Sequence, residues 1–153
     1  MAIPHKRRTF SADEYLRLER DAETRSEFWA GEIFALAGAS EKHNLIVINL
    51  IIALGTQLRG KPCTLYANDL RVEIQSKYHY TYPDVVVVYG ETKFADNEQD
   101  TLQNPTLTIE VLSPSTAAYD RGDKFESYRT LGEYITTSAC ATLQLKDTIA
   151  PRA

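Results

Sequence analysis

Cysteine is scarce in this sequence, and long apolar runs are absent. The two cysteines, Cys63 and Cys140, lie far apart and neither belongs to a CxxC pair, so we expect two reduced thiols rather than a zinc site or a disulfide framework. The richest apolar run, 45–54, is interrupted by Asn49 and is too short to span a bilayer. The basic residues 5–8 are followed by acidic ones, which argues against a secretory signal. We therefore expect a cytoplasmic protein with no membrane partner.

A surplus of basic residues is also absent. The net charge is −4, whereas a nucleic-acid-binding protein usually carries a basic footprint. The charge does not exclude such a function, because a metal-dependent phosphodiesterase concentrates carboxylates at its centre and neutralises them with cations. The basic run 6–8 is more typical of a solvated chain end than of a DNA-binding arm. A chain of 153 residues without internal repeats predicts one domain, 1–153, with its own hydrophobic core.

Three helices are predicted from caps and apolar spacing. Ser11 and Glu14 form a capping box for the first helix. Ser40 caps the second helix, which is apolar nearly all round as far as Leu58, and we expect it to be buried between layers. The third helix is predicted from about Asp120 to Leu131, with an apolar side formed by Phe125, Tyr128 and Leu131.

Short apolar runs predict the strands of a sheet. The run Val85 to Val88 is typical of a strand that is covered on both faces. Residues 91–104 are polar and acidic, which indicates a surface loop. The element order predicts an α/β fold in which a mixed sheet is flanked by helices. The other predicted strands are Ser26 to Phe28 and Glu32 to Ala37 as a hairpin, Cys63 to Tyr66, Leu70 to Ile74, Thr106 to Leu112, and Tyr134 to Thr136.

Two carboxylates stand in otherwise apolar surroundings. Asp84 precedes the valine run, and Glu110 lies inside an apolar strand between Ile109 and Val111. Such a carboxylate has to be paired, hydrogen-bonded or metal-bound, because an isolated buried charge is very costly. If the two strands are sheet neighbours, both acids can converge on one hard cation. Mg²⁺ prefers one or two carboxylates together with water and phosphate oxygens.

A lysine completes this group. Lys124 lies at the start of the third helix, from where it could reach back to the strand that carries Glu110. A lysine at that place can orient or deprotonate an attacking water, or stabilise charge on a phosphate. Together with Asp84, these residues meet the needs of metal-dependent phosphodiester hydrolysis.

Each of the three residues also has a structural interpretation. Asp84, which follows proline, is compatible with a turn residue. Glu110 is compatible with a salt bridge to Arg71 or Arg121, and Lys124 alone with a solvated helix lysine. The three residues considered together are more specific than any one of them.

The sequence resembles the Uma-type family of restriction-endonuclease-like proteins, which belongs to the PD-(D/E)xK nuclease superfamily. The resemblance rests on Pro83–Asp84 before four valines, on the stretch Glu-Val-Leu-Ser-Pro-Ser-Thr at 110–116, and on Asp-Arg-Gly-Asp-Lys at 120–124. Residues 27–33, 40–43 and 68–72 are also similar to the family. The resemblance covers about residues 10–134.

This resemblance implies a restriction-endonuclease-like core and a phosphodiesterase that depends on Mg²⁺, with Mn²⁺ as a substitute. Asp84 and Glu110 match the metal-ligand positions, and Lys124 matches the catalytic lysine. The resemblance adds Glu27, His43 and Asp69 as secondary members of the site.

The secondary members also have structural alternatives. Glu27 fits an ordinary hairpin residue, and Asp69 fits a turn that it caps with Asn68. His43 fits core packing, because it shares a helical face with Val47, Leu50 and Leu54.

The sequence departs from the family pattern in two places. The superfamily motif has a lysine two residues after the glutamate, where this chain has Leu112, and the resemblance suggests that Lys124 takes that role. Residues 135–153 form a divergent tail that has no convincing strand pattern beyond Thr136, as a truncation or a frame change would leave. Because an exposed strand edge seeks a partner, we expect a homo-oligomer, most simply a dimer.

The leading hypothesis is a divalent-metal-dependent endonuclease that hydrolyses DNA. The alternative is a catalytically degenerate nuclease fold that binds nucleic acid or a partner protein, which Leu112 and the tail favour. A glycosidase with two carboxylates is disfavoured, because few aromatic residues flank the acids as a sugar platform.

Overall fold

The computed structural model describes residues 8–74, 78–113, 118, 122–131 and 133–137. The predicted α/β class is confirmed: helices alternate with strands that pair both parallel and antiparallel. The described elements are α1 (Ala12–Asp21), β1 (Ser26–Trp29), β2 (Glu32–Ala35), α2 (Glu41–Leu58), β3 (Cys63–Ala67), β4 (Arg71–Ile74), β5 (His79–Thr81), β6 (Val85–Tyr89), β7 (Thr101–Leu102), β8 (Leu107–Val111), α3 (Asp123–Tyr128) and β9 (Glu133–Thr137).

The strands divide between two sheets. The first has the order β2-β1-β5-β4-β7, and the second has the order β3-β6-β8-β9. Neighbouring strands are antiparallel except for the parallel pairs β4–β7 and β8–β9. Since β8 and β9 are parallel, the chain has to cross over between them, and α3 lies on that connection.

The valines of β6 are buried on both faces, as the apolar run predicts. Val85 and Val87 belong to the core beneath α2, while Val86 and Val88 pack with Val72 of the five-stranded sheet. This alternation follows from the two-residue repeat of a strand. The strand that directly follows Asp84 is therefore packed on both of its faces.

The prediction that α2 is buried between layers is wrong. One side of α2 contacts the four-stranded sheet through Val47, Leu50, Leu54 and Leu58. On the other side Leu45, Ile48 and Ile52 are 55%, 53% and 62% exposed. An apolar pattern that continues round a helix cannot tell which face the rest of the chain covers.

The predicted helix caps and the predicted hairpin are confirmed. Ser11 and Glu14 form both hydrogen bonds of the capping box, and Ser40 accepts a hydrogen bond from the backbone of His43. The hairpin β1–β2 turns through Ala30 and Gly31 with φ angles of 49° and 93°. Glycine suits the second position, because a positive φ is strained for other residues.

The predicted apolar side of the third helix is observed for Tyr128 and for Leu131, which packs against the core around Val72, but it is wrong for Phe125. Within α3 the buried residues are Lys124, Ser127 and Tyr128, whereas Phe125 is 37% exposed. The side that faces the sheet meets acidic groups, so polar side chains are stabilised there. In addition, the short strands β5 and β7 were not predicted, and β7 lies in the stretch predicted as a surface loop.

Several predictions fall outside the described residues. These concern Cys140, the basic residues 6–7, the motif positions 114–117, Asp120 with Arg121, and residues 138–153 of the divergent tail. Cys63 is a free thiol, as predicted. No described helix combines the length and the apolar character that crossing a membrane requires.

Candidate active site

The pairing of β6 with β8 brings Asp84 and Glu110 to the same end of the sheet. The antiparallel register pairs Val85 with Ile109, so one step further positions 84 and 110 face each other. Asp84 Oδ2 accepts a hydrogen bond of 2.7 Å from the backbone N–H of Val111, the residue after Glu110. The predicted strand neighbourhood, on which the convergence of the two acids depends, is therefore present.

His43 holds the other oxygen of Asp84. Its Nε2 lies 2.8 Å from Asp84 Oδ1. The capped start of α2 positions this histidine, because Ser40 fixes the first turn of the helix. The side chains of His43 and Asp84 are 16% and 15% exposed. His43 thus points towards the acid, although it shares a helical face with core residues.

Lys124 joins Glu27 and Glu110, two of the buried glutamates. Its Nζ lies 2.8 Å from Oε1 of Glu27 and 2.8 Å from Oε1 of Glu110. The side chains of Lys124, Glu27 and Glu110 are only 5%, 2% and 6% exposed. The alternatives of a solvated lysine and an ordinary hairpin glutamate are therefore excluded.

Burial and charge set the protonation of this group. Burial raises the pKa of Glu110 to about 8; the ammonium of Lys124 lowers it and the charge of Asp84 raises it further. Burial also disfavours the charged form of Glu27, but Lys124 outweighs this and lowers the pKa of Glu27. For Lys124, burial acts to lower the pKa, and the nearby charges of Glu110 and Glu27 raise it well above its usual value. Lys124 therefore keeps its proton at neutral pH.

Two hydroxyl groups that the sequence interpretation missed complete the cluster. Tyr128 donates a hydrogen bond of 2.8 Å to Glu110 Oε1, and Thr81 donates one to Glu27 Oε1. The two hydroxyl oxygens lie 3.2 Å apart. The spacing of Tyr128, four residues after Lys124, is a signal that both side chains lie on one helix face. No comparable signal marks Thr81, because its strand β5 has only three residues.

Asp69 and Arg71 do not join this cluster. The carboxylate of Asp69 is 81% exposed and lies 3.8 Å from Nε of Arg25. Only the adjacent backbone reaches the site, where the N–H of Asn68 donates to the carbonyl of Asp84. Arg71 forms its ion pair with Asp100 at 2.8 Å, so it is not the salt-bridge partner considered for Glu110.

The donor set suits a hard cation that takes most of its ligands from water and substrate. Lys124 and Tyr128 both contact Oε1 of Glu110. Among the described residues, none forms a hydrogen bond with its Oε2. Within the described ranges no group of three or more His, Cys, Asp or Glu side chains could hold a metal by itself. Asp84 and Glu110 alone would be enough for Mg²⁺, which commonly uses one or two carboxylates.

Comparison with protein families identifies one match that covers most of the chain. The family model described as "Uma2: Putative restriction endonuclease" matches residues 12–134. This confirms the resemblance that the motifs indicate over about residues 10–134.

Two proteins of Synechocystis sp. are similar to this chain. The uncharacterized protein sll1609 is 40% identical over 131 residues, which cover 86% of this chain and 74% of that protein. The uncharacterized protein slr1290 is 37% identical over 118 residues, or 77% of this chain and 61% of that protein. The match therefore spans less than two thirds of the second relative.

A solved structure shares the fold. The crystal structure of "a putative nuclease belonging to DUF820" from Anabaena variabilis has a TM-score of 0.67 and 21% sequence identity. The match covers 84% of this chain and 74% of that chain. At this level of identity the likeness establishes the nuclease-like fold.

Proposed function

Since this chain belongs to the Uma2 family, whose description is "Putative restriction endonuclease", we propose that it is a divalent-metal-dependent endonuclease that hydrolyses phosphodiester bonds in DNA. The proposal rests above all on the proximity of Asp84 and Glu110. The carboxylate of Asp84 accepts a hydrogen bond of 2.7 Å from the backbone N–H of Val111, the residue that follows Glu110. A buried lysine at 2.8 Å from Glu110 supplies the positive charge that a phosphate requires.

Asp84 and Glu110 are the residues that would hold Mg²⁺, or Mn²⁺ in its place. Such an ion, when bound, supplies Lewis acidity towards the scissile phosphate. Asp84 is well suited to a fixed ligand, because a backbone N–H and His43 restrain its two oxygens. Ligands that are held by such contacts lose little freedom on binding.

Lys124 acts in this proposal as a cation and not as a base. Its raised pKa, which the nearby acids cause against the effect of burial, keeps the ammonium charged. A charged ammonium can orient the attacking water through its N–H groups and can offset negative charge that develops on the phosphate. Glu27 also fixes the ammonium, through a second contact of 2.8 Å.

Cleavage of supercoiled plasmid DNA with Mg²⁺ or Mn²⁺ tests this function. The wild type should nick the plasmid, and Asp84→Asn should reduce the rate at least about a hundredfold, since loss of one stabilising group at a reacting centre has an effect of that order. Asp69→Asn is the matched control, because its carboxylate is exposed and outside the cluster. A rate for Asp84→Asn equal to that of the wild type would overturn the assignment.

A catalytically degenerate nuclease fold that binds nucleic acid or a protein is the second candidate. Leu112, in place of the lysine of the superfamily motif, favours it. Such a protein would bind DNA in a gel-shift assay equally well with Mg²⁺ and with EDTA, and it would not cleave.

Self-association as a homodimer and a cytoplasmic location stay predictions, as does the single domain 1–153. Sedimentation equilibrium of the purified chain measures the first of these directly.

A further inference from the structure

One face of α3 presents two side chains to the same oxygen atom. Lys124 and Tyr128 are four residues apart, and both contact Oε1 of Glu110 at 2.8 Å. Tyr128 is 1% exposed. A phenol at this depth needs a partner for its hydroxyl group, because an unpaired buried polar group is costly.

The contacts continue into a closed ring. Tyr128 lies 3.2 Å from Thr81, Thr81 donates to Glu27, and Glu27 contacts Lys124, which returns to Glu110. In this ring each hydroxyl group donates its single proton to a glutamate, and the two hydroxyl oxygens lie in contact beside the ammonium. All five residues are at most 5% exposed, so water does not compete strongly for these bonds.

The ring distinguishes the two oxygens of Glu110. Both protein donors, Tyr128 and Lys124, bond to Oε1, and no described residue bonds to Oε2. When Glu110 is ionised, two donors on one of its oxygens restrict the rotation of the carboxylate about its last bond. Its second oxygen then remains available for a ligand in a defined direction.

We propose that Tyr128 is a positioning residue: its hydroxyl group, which lies against that of Thr81, fixes Glu110 so that Oε2 remains available for a divalent cation. This inference rests on the proposed function, because the cation that Oε2 would bind is the Mg²⁺ or Mn²⁺ of that function. Tyr128 acts through Glu110 and does not itself touch the substrate.

Titration of Mn²⁺ by calorimetry into wild type and Tyr128→Phe tests the proposal. Phenylalanine keeps the ring and removes only the hydroxyl group. The affinity should fall roughly 10- to 100-fold, as it does when an outer-sphere partner of a metal ligand is lost. Tyr80→Phe is the matched control, since its hydroxyl group donates to Glu73, which is not part of the ring. Wild-type affinity in Tyr128→Phe would overturn the proposal.

A second pair of variants separates positioning from folding. Thr81→Ser retains the hydroxyl group and should bind Mn²⁺ like the wild type, whereas Thr81→Val should weaken binding. Equal affinities of Thr81→Val and Thr81→Ser would contradict a role in metal binding for the hydrogen bond from Thr81 to Glu27.

A measurement without metal distinguishes failure of this inference from failure of the proposed function. The melting-temperature shifts of Tyr128→Phe and Glu110→Gln should be non-additive in the double variant, because the two groups share one hydrogen bond. If they are non-additive but the wild type binds no Mn²⁺, the ring exists and the proposed metal site is refuted, together with the role of Oε2. Additive shifts would refute the ring itself.

Discussion

Replacement of His79 by glutamine should make the stability of the protein less sensitive to pH. His79 is fully buried and stacks on Trp29, with ring centroids 5.7 Å apart. Burial lowers its pKa from 6.5 to about 4, against the raising effect of the charge of Glu27. The folded protein therefore holds His79 neutral in a range where the unfolded chain protonates it.

The sign and size of the effect follow from linkage. Because the folded-state pKa is the lower one, the contribution of His79 is fully present above pH 6.5 and is lost as the pH falls towards about 4. With these two pKa values, the wild type should lose roughly 2 kcal/mol of unfolding free energy through His79 between about pH 7.5 and pH 5. Glutamine does not titrate, so the variant should lack this loss.

Urea unfolding of both proteins at the two pH values measures the effect. The difference in unfolding free energy between wild type and His79→Gln should shrink by roughly 2 kcal/mol from about pH 7.5 to pH 5. Other titrating groups such as Glu110 occur in both proteins and largely cancel in this difference. A difference that stays constant across the range would refute the reasoning, since it would mean that His79 is protonated to the same extent in the folded and unfolded states.

Two further predictions concern the core and the surface. Leu54→Ala should lower the unfolding free energy by roughly 2 to 5 kcal/mol, because the side chain is buried beneath the four-stranded sheet. Ile52→Ala, at a 62% exposed position, should change the unfolding free energy by less than about 0.5 kcal/mol. If urea unfolding gave similar losses of free energy for Leu54→Ala and Ile52→Ala, the assignment of the buried and exposed faces of α2 would be contradicted. Asp100→Asn should destabilise the protein at neutral pH, since hydrogen bonds from Arg20 and Arg71 lower the pKa of Asp100. Its deficit relative to wild type should shrink as the pH falls below 3.8, and a deficit independent of pH in acid titration would contradict the ion pairs.

Features of the fold that depend on neighbours in the sequence were predictable. Ser11 and Ser40 cap helices through bonds to residues three positions ahead, and these bonds form within a single turn. The valine run of β6 identified a central strand, because only a strand covered on both faces lacks polar alternation. The pairing of Asp84 with the end of β8 followed from two such strands in one sheet.

Features that depend on distant partners were not predictable. The apolar pattern of α2 contains no information on which face the sheet covers, so the exposure of Ile48 and Ile52 was missed. Thr81 lies in a three-residue strand that exists only through its pairing with β1 and β4. Tyr128 was assigned to an apolar side, because the residue type alone does not show that its hydroxyl group meets a buried carboxylate.

The central claim is that Asp84 and Glu110 form a site for a divalent cation. Calorimetric titration of Mn²⁺ into wild type, Glu110→Gln and the control Asp69→Asn tests it most directly. The wild type and the control should bind one ion with equal affinity. The affinity of Glu110→Gln for Mn²⁺ should fall by more than the roughly 10- to 100-fold that is typical when an outer-sphere partner of a metal ligand is removed. Unchanged binding by Glu110→Gln, or no binding by a folded wild type, would contradict the claim.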